Sequence, residues 1–436
     1  MESSQGFKAL RGACMAVFGL VDCHCFYVSA EATLDASLRV PGLPIAALSN
    51  GDGAVVSRND ACKALGVKMG QPFFEIKHLM KSHGLRVVSS NYALYQEISN
   101  RVMLVLSRFA PRIEIYSIDE CWLDLTGISG DLEKLAHEMR KAVFQATGIP
   151  VGVGIGSTKT LAKAANFAAK KWKAKTNSVV VLLDEVKRDK LLKWMPANEI
   201  WGIGRRISSH LESMKIITAW DLSQYDKKTL RKNFNVNIEK TAIELTGVSC
   251  YGLQEHAEPK QTIASTRSFN GRVESIDGLR EAVATYAARA CVKLRSEKQL
   301  ASCIQVFIQT SRFDDKPYSK AIIIGLESPS DDSREFIQAA VAGLQKIFLA
   351  GYRYAKAGVI LSQFSEAKNA QHDLFAPEPR RNCAELMKVL DTVNLRWGRG
   401  TIRIAREKKQ SSWSMKMDFK SQNYLTDWNE LKLIKC

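Results

Sequence analysis

The stretch that decides the fold of this 436-residue chain begins near its N-terminus, where residues 16–27 read AVFGLVDCHCFY. The apolar part, residues 16–22, has the length of one buried β-strand. It ends on an acid, Asp22, and continues into two aromatic residues, Phe26 and Tyr27. An acid at the end of a buried strand costs free energy unless it is paired or bound to a metal ion. The stretch therefore indicates a strand that ends in either a turn residue or a ligand.

A second pair of acids, Asp119 and Glu120, lies in a hairpin predicted over residues 112–125. Carboxylates that converge from two strands form a hard oxygen site suited to Mg²⁺, and paired Mg²⁺ ions serve phosphoryl transfer. Adjacent strand residues face opposite ways, so Glu120 would need a local twist to join Asp119. On spacing alone, a strand-ending turn at Asp22 and a solvated hairpin are the simpler interpretation. Both interpretations stay open at this point.

Composition narrows the class of protein. The chain has 62 Lys and Arg against 45 Asp and Glu, a formal net charge of +17, and 46% of its residues are hydrophobic. These values exclude an acidic disordered scaffold, and the apolar runs are too short for a bilayer span, so no membrane partner is expected. A basic chain of this size most often binds a polyanion, nucleic acid first, although the charge could serve solubility alone. The ten cysteines and seven histidines follow no disulfide or zinc spacing, which favours free thiols and a cytoplasmic location.

The order of predicted elements indicates an α+β fold in more than one domain. Helices and strands alternate up to about residue 180, with a helix over 92–109 and another over 158–172. Residues 190–248 are predicted to be helical, and the mixed unit after them follows the order β-α-β-β-α-β. From residue 366 onward we predict a polar, basic tail without periodic structure. Residues 1–14 are interpreted as an N-terminal extension, with Met15 as an alternative start.

An ordered series of motifs resembles the Y-family translesion DNA polymerases, and most closely their UmuC branch. The motifs are Asp22-Cys-His-Cys-Phe-Tyr27, Ser49-Asn-Gly-Asp-Gly53, Ala64-Leu-Gly-Val-Lys-Met-Gly70, Ser117-Ile-Asp-Glu120, Val151-Gly-Val-Gly-Ile-Gly156 and Trp201-Gly-Ile-Gly-Arg-Arg206. The resemblance implies a multidomain right-hand polymerase with a basic C-terminal tail. The implied domains are a palm (15–30 and 88–175), fingers (31–87), a helical thumb (176–250), a linker (251–262), a little finger (263–365) and a clamp- and partner-binding tail (366–436).

The resemblance also implies roles for the acids. Asp22, Asp119 and Glu120 match the catalytic, metal-binding carboxylates of the family, and the backbone carbonyl of Cys23 matches a further ligand. Two Mg²⁺ ions are expected there. Asp119 would bridge both ions, and Glu120 would serve the ion near the primer 3′-hydroxyl.

Other matched positions concern the incoming dNTP. Phe26 and Tyr27 match residues under its sugar, and Tyr27 corresponds to the steric gate that excludes a 2′-hydroxyl. Ser57, Lys63 and Lys170 match residues that contact the triphosphate, which needs cations around it.

Three further residues near the triphosphate positions are ambiguous. Asp60 stands where most of the family has a tyrosine, although the UmuC branch also lacks that tyrosine. An acid beside phosphates is unhelpful unless it points away. Lys159 and Lys163 are nearby cations that fit an active-site role or a solvated surface equally well.

Two regions are expected to bind primer–template DNA. Gly202, Gly204, Arg205 and Arg206 resemble a helix-hairpin-helix, whose turn donates backbone N–H groups to a phosphate; an ordinary αα-turn fits the same residues. In the little finger the basic residues are expected to face the DNA backbone, and these are Arg267, Arg272, Lys293, Arg295 and Lys298.

In the tail, Gln371, Leu374 and Phe375 resemble the peptide by which bacterial polymerases dock on the sliding clamp. A processed UmuD-type dimer and a RecA filament are further implied partners. The implied function is error-prone translesion synthesis by a DNA-dependent DNA polymerase in SOS-type damage tolerance. A non-catalytic DNA-binding regulator that recruits the clamp to stalled primer ends is the alternative, and a palm-type cyclase is a third hypothesis. The three acids and Tyr27 argue against the regulator.

Overall fold

The computed structural model describes residues 16–254, 258–367, 382–407, 417–425 and 430–431. The chain divides into two compact units. The first unit comprises Met1–His256 and Asp418–Cys436, and the second unit is Ala257–Met417. The division falls inside the predicted linker, whereas the predicted tail is shared between the units.

Within the described residues, the first unit contains eight strands. They are β1 (Phe18–Cys23), β2 (Ile45–Leu48), β3 (Val55–Arg58), β4 (Arg86–Ser89), β5 (Ile113–Ile115), β6 (Glu120–Asp124), β7 (Val151–Gly156) and β8 (Val179–Leu182). Five strands form a sheet in the order β5-β6-β1-β7-β8, and the other three form a sheet in the order β3-β2-β4. Strand β1 is buried along its whole length and pairs antiparallel with β6 and β7. The predicted apolar strand is therefore the centre of the larger sheet.

Thirteen α-helices of the first unit lie within the described residues. They are α1 (Phe26–Leu34), α2 (Asp60–Ala64), α3 (Phe73–Ile76), α4 (Leu79–Ser82), α5 (Tyr92–Leu106), α6 (Leu132–Thr147), α7 (Lys159–Lys171), α8 (Lys173–Thr176), α9 (Glu185–Trp194), α10 (Arg205–Ser213), α11 (Ala219–Gln224), α12 (Lys227–Asn233) and α13 (Val236–Glu244). Short 3₁₀ turns cover Ala36–Arg39, Asn50–Asp52 and Ala197–Glu199. The helices predicted over 92–109 and 158–172 and the helical region over 190–248 are confirmed. The strands β4 and β8 were not predicted.

Glycines on β7 allow α7 to lie against the sheet. A Cβ atom at Gly154 would lie 2.2 Å from the backbone nitrogen of Asn166, and one at Gly156 would lie 2.7 Å from that of Ala162. Any side chain at these two positions would collide with the helix backbone. Thr158 caps the start of α7 by accepting a hydrogen bond from the N–H of Leu161. The helix is therefore fixed in position along the sheet.

The two faces of the larger sheet pack against different helices. Val21 and Cys23 of β1 face a core that includes α5 and α6. Leu20 of β1 and Trp122 of β6 face the other way and pack with Ala162 of α7. Because strand side chains alternate, Asp22 and Glu120 belong to the α7 face.

The second unit contains four strands and three helices within the described residues. They are β9 (Thr262–Val273), α14 (Ile276–Ser296), β10 (Gln299–Gln309), β11 (Ser319–Ser330), α15 (Ser333–Ile347), β12 (Tyr354–Glu366) and α16 (Cys383–Trp397). The strands form an antiparallel sheet in the order β11-β10-β12-β9, with α14 and α15 in one shared core. The predicted β-α-β-β-α-β order is confirmed.

Helix α16 shows that the prediction of a tail without periodic structure was wrong. Met387 of this helix is buried, and Asp391 accepts two hydrogen bonds from Arg295 of α14, at 2.6 and 2.8 Å. This ion pair fixes α16 to α14, because α16 has too few buried apolar residues to be held by packing alone. Among the described residues we find no helix with the length and apolar character needed to cross a membrane.

Candidate active site

Asp22 and Glu120 form the centre of the site. Asp22 on β1 lies directly opposite Glu120 on β6 in the antiparallel register, and the two side chains share a hydrogen bond. Asp22 is 5% exposed and Glu120 is half-buried. The predicted convergence of acids from two strands is thus present for this pair.

Lysines of α7 neutralise both acids. The Nζ atom of Lys170 lies 2.5 Å from the carboxylate of Asp22, and that of Lys163 lies 2.8 Å from both carboxylate oxygens of Glu120. Lys163 also lies over the ring of Tyr116, 4.9 Å from its centre. Its interpretation as solvated surface is wrong, because its charge is used inside the site. Lys159 is not solvated surface either, because it is buried and its Nζ atom lies 2.5 Å from the carboxylate of Glu114, outside the Asp22–Glu120 pair.

The two acids differ in pKa. Burial raises the pKa of Asp22 to about 7, although the attraction of Lys170 opposes this shift. For Glu120, burial favours a higher pKa, but the hydrogen bonds with Asp22 and Lys163 outweigh it and lower the pKa. Two carboxylates this close repel each other when both are ionised, so they favour a bound positive charge. Such a pair fits a divalent cation, which would favour ionisation of both acids.

Asp119 does not join the pair in this structure. Its carboxylate accepts a hydrogen bond from the hydroxyl of Ser117 at 2.6 Å, and its backbone carbonyl accepts one from the N–H of Cys23 at 2.9 Å. Across the described ranges, no three acidic, histidine or cysteine side chains are grouped closely enough to hold a metal ion. The side chain of Cys23 is buried in the core that includes α5 and α6, on the face of β1 opposite Asp22, so only the backbone of this residue is available as a ligand.

A cavity of about 390 Å³ lies beside the acids. Its lining includes the lysines at 63, 170, 171 and 173, together with Cys25 and Asp60. Asp60 lies 2.6 Å from Lys63 Nζ and 2.9 Å from Lys173 Nζ, and these hydrogen bonds lower the pKa of its carboxyl to about 2. The acid therefore serves to hold two lysines at the cavity. Ser57, in contrast, is buried in β3 and is not part of the lining.

Tyr27 belongs to a layer of three tyrosines. Its ring stacks on that of Tyr95 with centres 4.6 Å apart and an angle of 11°, and the edge of Tyr92 meets it at 5.8 Å. Phe26 is buried in the core beneath. The hydroxyl of Tyr95 donates to the buried carboxylate of Glu31 at 2.7 Å. No role was predicted for Tyr92, Tyr95 or Glu31, although Tyr27 and Glu31 share the i, i+4 spacing of one helix face.

The predicted helix-hairpin-helix turn is an exposed helix start. Gly202 has a φ of +88°, a left-handed conformation that favours glycine, and Gly204 is the N-cap of α10. Gly204 provides no side chain to cap the first turn, and Arg205 and Arg206 are exposed beside it. The turn can therefore present backbone N–H groups and two cations to an anion.

In the second unit the predicted basic surface is only partly available. Arg295 is buried in ion-pair contacts with Asp391, so the expectation that it faces DNA is wrong. Arg267 on β9 is half-buried and donates to the carbonyl of Thr266 at 2.9 Å. The predicted clamp peptide, Gln371, Leu374 and Phe375, lies outside the described residues.

A comparison with solved structures defines the class of fold. The chain aligns with a Y-family DNA polymerase chimera built from Dbh and Dpo4 at a TM-score of 0.64 and 21% identity, covering 80% of this chain and 99% of that one. The chain therefore has the multidomain α+β fold of a Y-family DNA polymerase.

Sequence comparisons define the family. The impB/mucB/samB family matches residues 21–166, its C-terminal domain matches residues 260–374, and a domain of unknown function matches residues 384–434. UmuC of Salmonella typhimurium (strain LT2) is 43% identical over 424 residues, which cover 96% of this chain and 100% of that protein. MucB of Escherichia coli is 39% identical over 96% of this chain and 99% of its own length. The chain belongs to the impB/mucB/samB family, the UmuC branch of the Y-family polymerases.

A more distant relative is also a polymerase by name. DNA polymerase IV of Desulfatibacillum aliphaticivorans is 26% identical over 387 residues, covering 88% of this chain and 94% of that protein. The likeness thus extends from the UmuC branch to a second branch of the same fold.

Proposed function

We propose that the first unit transfers nucleotides to a DNA primer at the Asp22–Glu120 site. Membership in the UmuC branch makes the chain a DNA-directed DNA polymerase of the translesion class, with DNA and nucleotides as substrates and a dependence on divalent metal ions. The non-catalytic regulator and the cyclase are not favoured. The observation that carries the proposal is the Asp22–Glu120 pair beside a cavity lined by four lysines.

We assign two Mg²⁺ ions to Asp22, Asp119, Glu120 and the backbone carbonyl of Cys23. When bound, such ions stabilise the attacking and leaving oxygens of phosphoryl transfer. The contact between the two carboxylates supports this assignment, since a divalent cation would favour the ionised form of both acids. Lys163 and Lys170 would release the carboxylates for this purpose, and Asp119 would release Ser117.

The lysines then act on the triphosphate. Once free of Asp22, Lys170 lies at the cavity beside Lys63 and Lys173, which Asp60 holds in place. Together they neutralise the β- and γ-phosphates and the pyrophosphate that leaves when the primer 3′-hydroxyl attacks the α-phosphate. Ser57 would need to move to reach a phosphate, because it is buried in β3.

Tyr27 selects the sugar in this proposal. Its ring is fixed against Tyr95 by stacking and forms the wall beneath the dNTP sugar, with Phe26 packed behind it. A fixed ring rejects a 2′-hydroxyl by steric exclusion, which is how a deoxynucleotide is distinguished from a ribonucleotide.

The remaining assignments concern DNA and protein partners. Gly202, Gly204, Arg205 and Arg206 bind a DNA phosphate, and Arg267 adds a backbone contact. Gln371, Leu374 and Phe375 dock on the sliding clamp, and a processed UmuD-type dimer and a RecA filament assist error-prone synthesis in SOS-type damage tolerance. We keep the palm, fingers, thumb, little-finger and tail boundaries as predicted. A cytoplasmic location agrees with the described cysteines, all of which are free thiols.

Primer extension across an abasic site tests the function. We compare the full chain with its Asp119→Ala variant in Mg²⁺, with and without a UmuD-type dimer and a RecA filament, and measure DNA binding in parallel. Extension by the unsubstituted chain and its loss in the variant, with DNA affinity retained, are expected. A variant that extends normally would refute the metal assignment. Tight binding of primer ends without extension under any condition would favour the regulator.

A further inference from the structure

The C-terminal segment (residues 418–425) returns to the first unit and binds the edge of its three-stranded sheet. The N–H of Ser89, at the end of β4, donates to the carbonyl of Phe419 at 3.0 Å, and the N–H of Phe419 donates to the Ser89 hydroxyl at 3.0 Å. Lys420 pairs with Ser89 as a parallel bridge. The segment therefore adds backbone hydrogen bonds at a sheet edge that would otherwise be unpaired there.

Side chains reinforce this attachment on both sides of the segment. The ring of Phe419 meets that of Phe73 edge-on at 5.7 Å and packs on the core of the smaller sheet. Leu425 packs on the core of the larger sheet. The segment thus joins the cores of the two sheets of the first unit.

Between these anchors, Ser421 contacts the residues behind the tyrosine layer. Its hydroxyl accepts a hydrogen bond from the side chain of Asn91, the N-cap of α5, at 3.2 Å. The backbone carbonyl of Ser421 accepts from the same side-chain amide at 3.4 Å. The carbonyl of Asn91 in turn accepts a hydrogen bond from the N–H of Tyr95 at 3.0 Å, so the segment contacts the residue on which the first turn of α5 is built.

Tyr95 connects this contact to the proposed sugar gate. Its hydroxyl donates to the buried carboxylate of Glu31, and its ring stacks flat on that of Tyr27. The positions of Ser421, Asn91, Tyr95 and Tyr27 are therefore coupled by an unbroken series of contacts.

We propose that the C-terminal segment positions the sugar gate, and that Ser421 is a positioning residue for deoxynucleotide selection. The inference rests on the proposed role of Tyr27, and it gives a task to part of the region that matches a domain of unknown function. Loss of the Ser421 hydroxyl leaves the buried side-chain amide of Asn91, the N-cap of α5, with one acceptor fewer, so Tyr95 and the ring stacked on it become free to shift.

The test measures single-nucleotide insertion of a dNTP and the matching rNTP by the full chain, and takes the ratio of their kcat/KM values. Ser421→Ala should lower this ratio about 3- to 10-fold, the effect of losing one hydrogen bond. The change should come from faster rNTP insertion, with kcat and KM for the dNTP nearly constant. Ser421→Thr, which keeps the hydroxyl, should restore the ratio, and Gln422→Ala, an exposed neighbour, is the matched control.

Two further measurements separate this role from a general structural one. Hydrogen exchange at the amides of Ser89 and Phe419 reports whether the segment is attached; Phe419→Ala should raise exchange at Ser89 and lower the sugar ratio together. In a Tyr27→Ala chain, whose sugar discrimination should already be low, Ser421→Ala should have no further effect.

Four results would overturn the inference. Equal loss of dNTP and rNTP insertion in Ser421→Ala would show that the segment is a structural support without a role in sugar selection. An undiminished effect of Ser421→Ala in the Tyr27→Ala chain would show that it does not act through the gate. If Tyr27→Ala alone leaves discrimination unchanged, the gate itself is refuted, whereas a sensitive Tyr27→Ala with an insensitive Ser421→Ala refutes only the role of the segment.

Discussion

Helix α7 carries lysines to acids at both of its ends, and the acids at the two ends are held in different ways. At the N-terminal end, Lys159 is paired with Glu114, and the next residue, Thr160, is bound by Glu244 of α13. Further along, Lys163 and Lys170 are paired with Glu120 and Asp22. The first group is a structural junction, and the second is the candidate active site.

The acids of the N-terminal group have their hydrogen-bonding capacity filled by fixed donors. Glu244 is fully buried and accepts from the N–H and hydroxyl of Thr160 and from the N–H groups of Cys250 and Tyr251, at 2.7 to 3.1 Å. Glu114 accepts from Lys159 and from the N–H of Gln254 at 2.8 Å. Backbone donors cannot leave without local unfolding, so these acids are not free to bind another cation.

The acids of the second group depend on lysine side chains that can move. The lysine side chains become more exposed along the helix, at 4% for Lys159, 23% for Lys163 and 40% for Lys170. An exposed ammonium group regains its hydration when it leaves, whereas a buried one does not. A displaceable counterion, rather than the presence of an acid, therefore distinguishes a candidate metal site from a structural ion pair.

The largest expected effect is at Asp22. Asp22→Asn keeps the size of the side chain but removes the charge that would hold a metal ion, so primer extension should fall about 1000-fold or more. The thermal midpoint should not fall, because the variant removes a buried like-charge contact with Glu120. Extension assays and thermal unfolding of the same preparation, with the exposed Glu199→Gln as control, check both parts. Retained extension, or unfolding of the variant, would contradict the distinction between the active-site acids and the structural acids along α7.

A matched lysine pair should then separate the two ends by stability. Lys159→Met leaves Glu114 buried without its cation and should lower the free energy of unfolding by about 3 kcal/mol or more. Lys163→Met removes a partly exposed partner and should cost about 1 kcal/mol or less. Denaturant unfolding of both variants measures the difference. Equal losses would mean that the lysines of the active site are as structural as Lys159.

The smallest effect concerns Glu31, a buried acid held by the hydroxyl of Tyr95 instead of by a lysine. Burial raises its pKa, so the folded state keeps a proton that the unfolded state has already lost, and stability falls as pH rises above the unfolded pKa. Glu31→Gln has no such titration and can still accept from Tyr95. Its free energy of unfolding relative to the unsubstituted chain should therefore increase between about pH 5 and about pH 8. Urea titrations across this range check the sign, and a relative stability that decreases with pH would contradict it.

Most of the fold followed from patterns in the chain itself. The apolar run before Asp22 predicts the central strand, and the β-α-β-β-α-β order of the second unit follows from alternating periodicity. Helix α16 and the strands β4 and β8 were missed. Strands β4 and β8 have four residues each, too few for a periodic signal, and α16 is held by the ion pair between Arg295 and Asp391.

The candidate site was predictable in its residue types but not in its pairings. The sequence indicates that Asp22, Asp119 and Glu120 are the acids that matter, and strand alternation already separates Asp119 from Glu120. That Glu120 faces Asp22 depends on the register of β1 and β6. The register is set by the packing of these two strands against α5, α6 and α7. Of these helices, α7 lies far from either strand in the chain.

The sequence by itself therefore determined most of the elements and the family and predicted the acids, because these depend on local spacing and on the order of motifs. Only the tertiary structure decided which lysine neutralises which acid, that Asp60 holds two lysines at the cavity, and that the C-terminal segment reaches Asn91. Most of these contacts join residues more than about 40 positions apart. The others join an exposed charge to one of several partners that are equally close in the sequence. The cost of closing such loops is offset only by burial in the assembled fold, which local sequence does not encode.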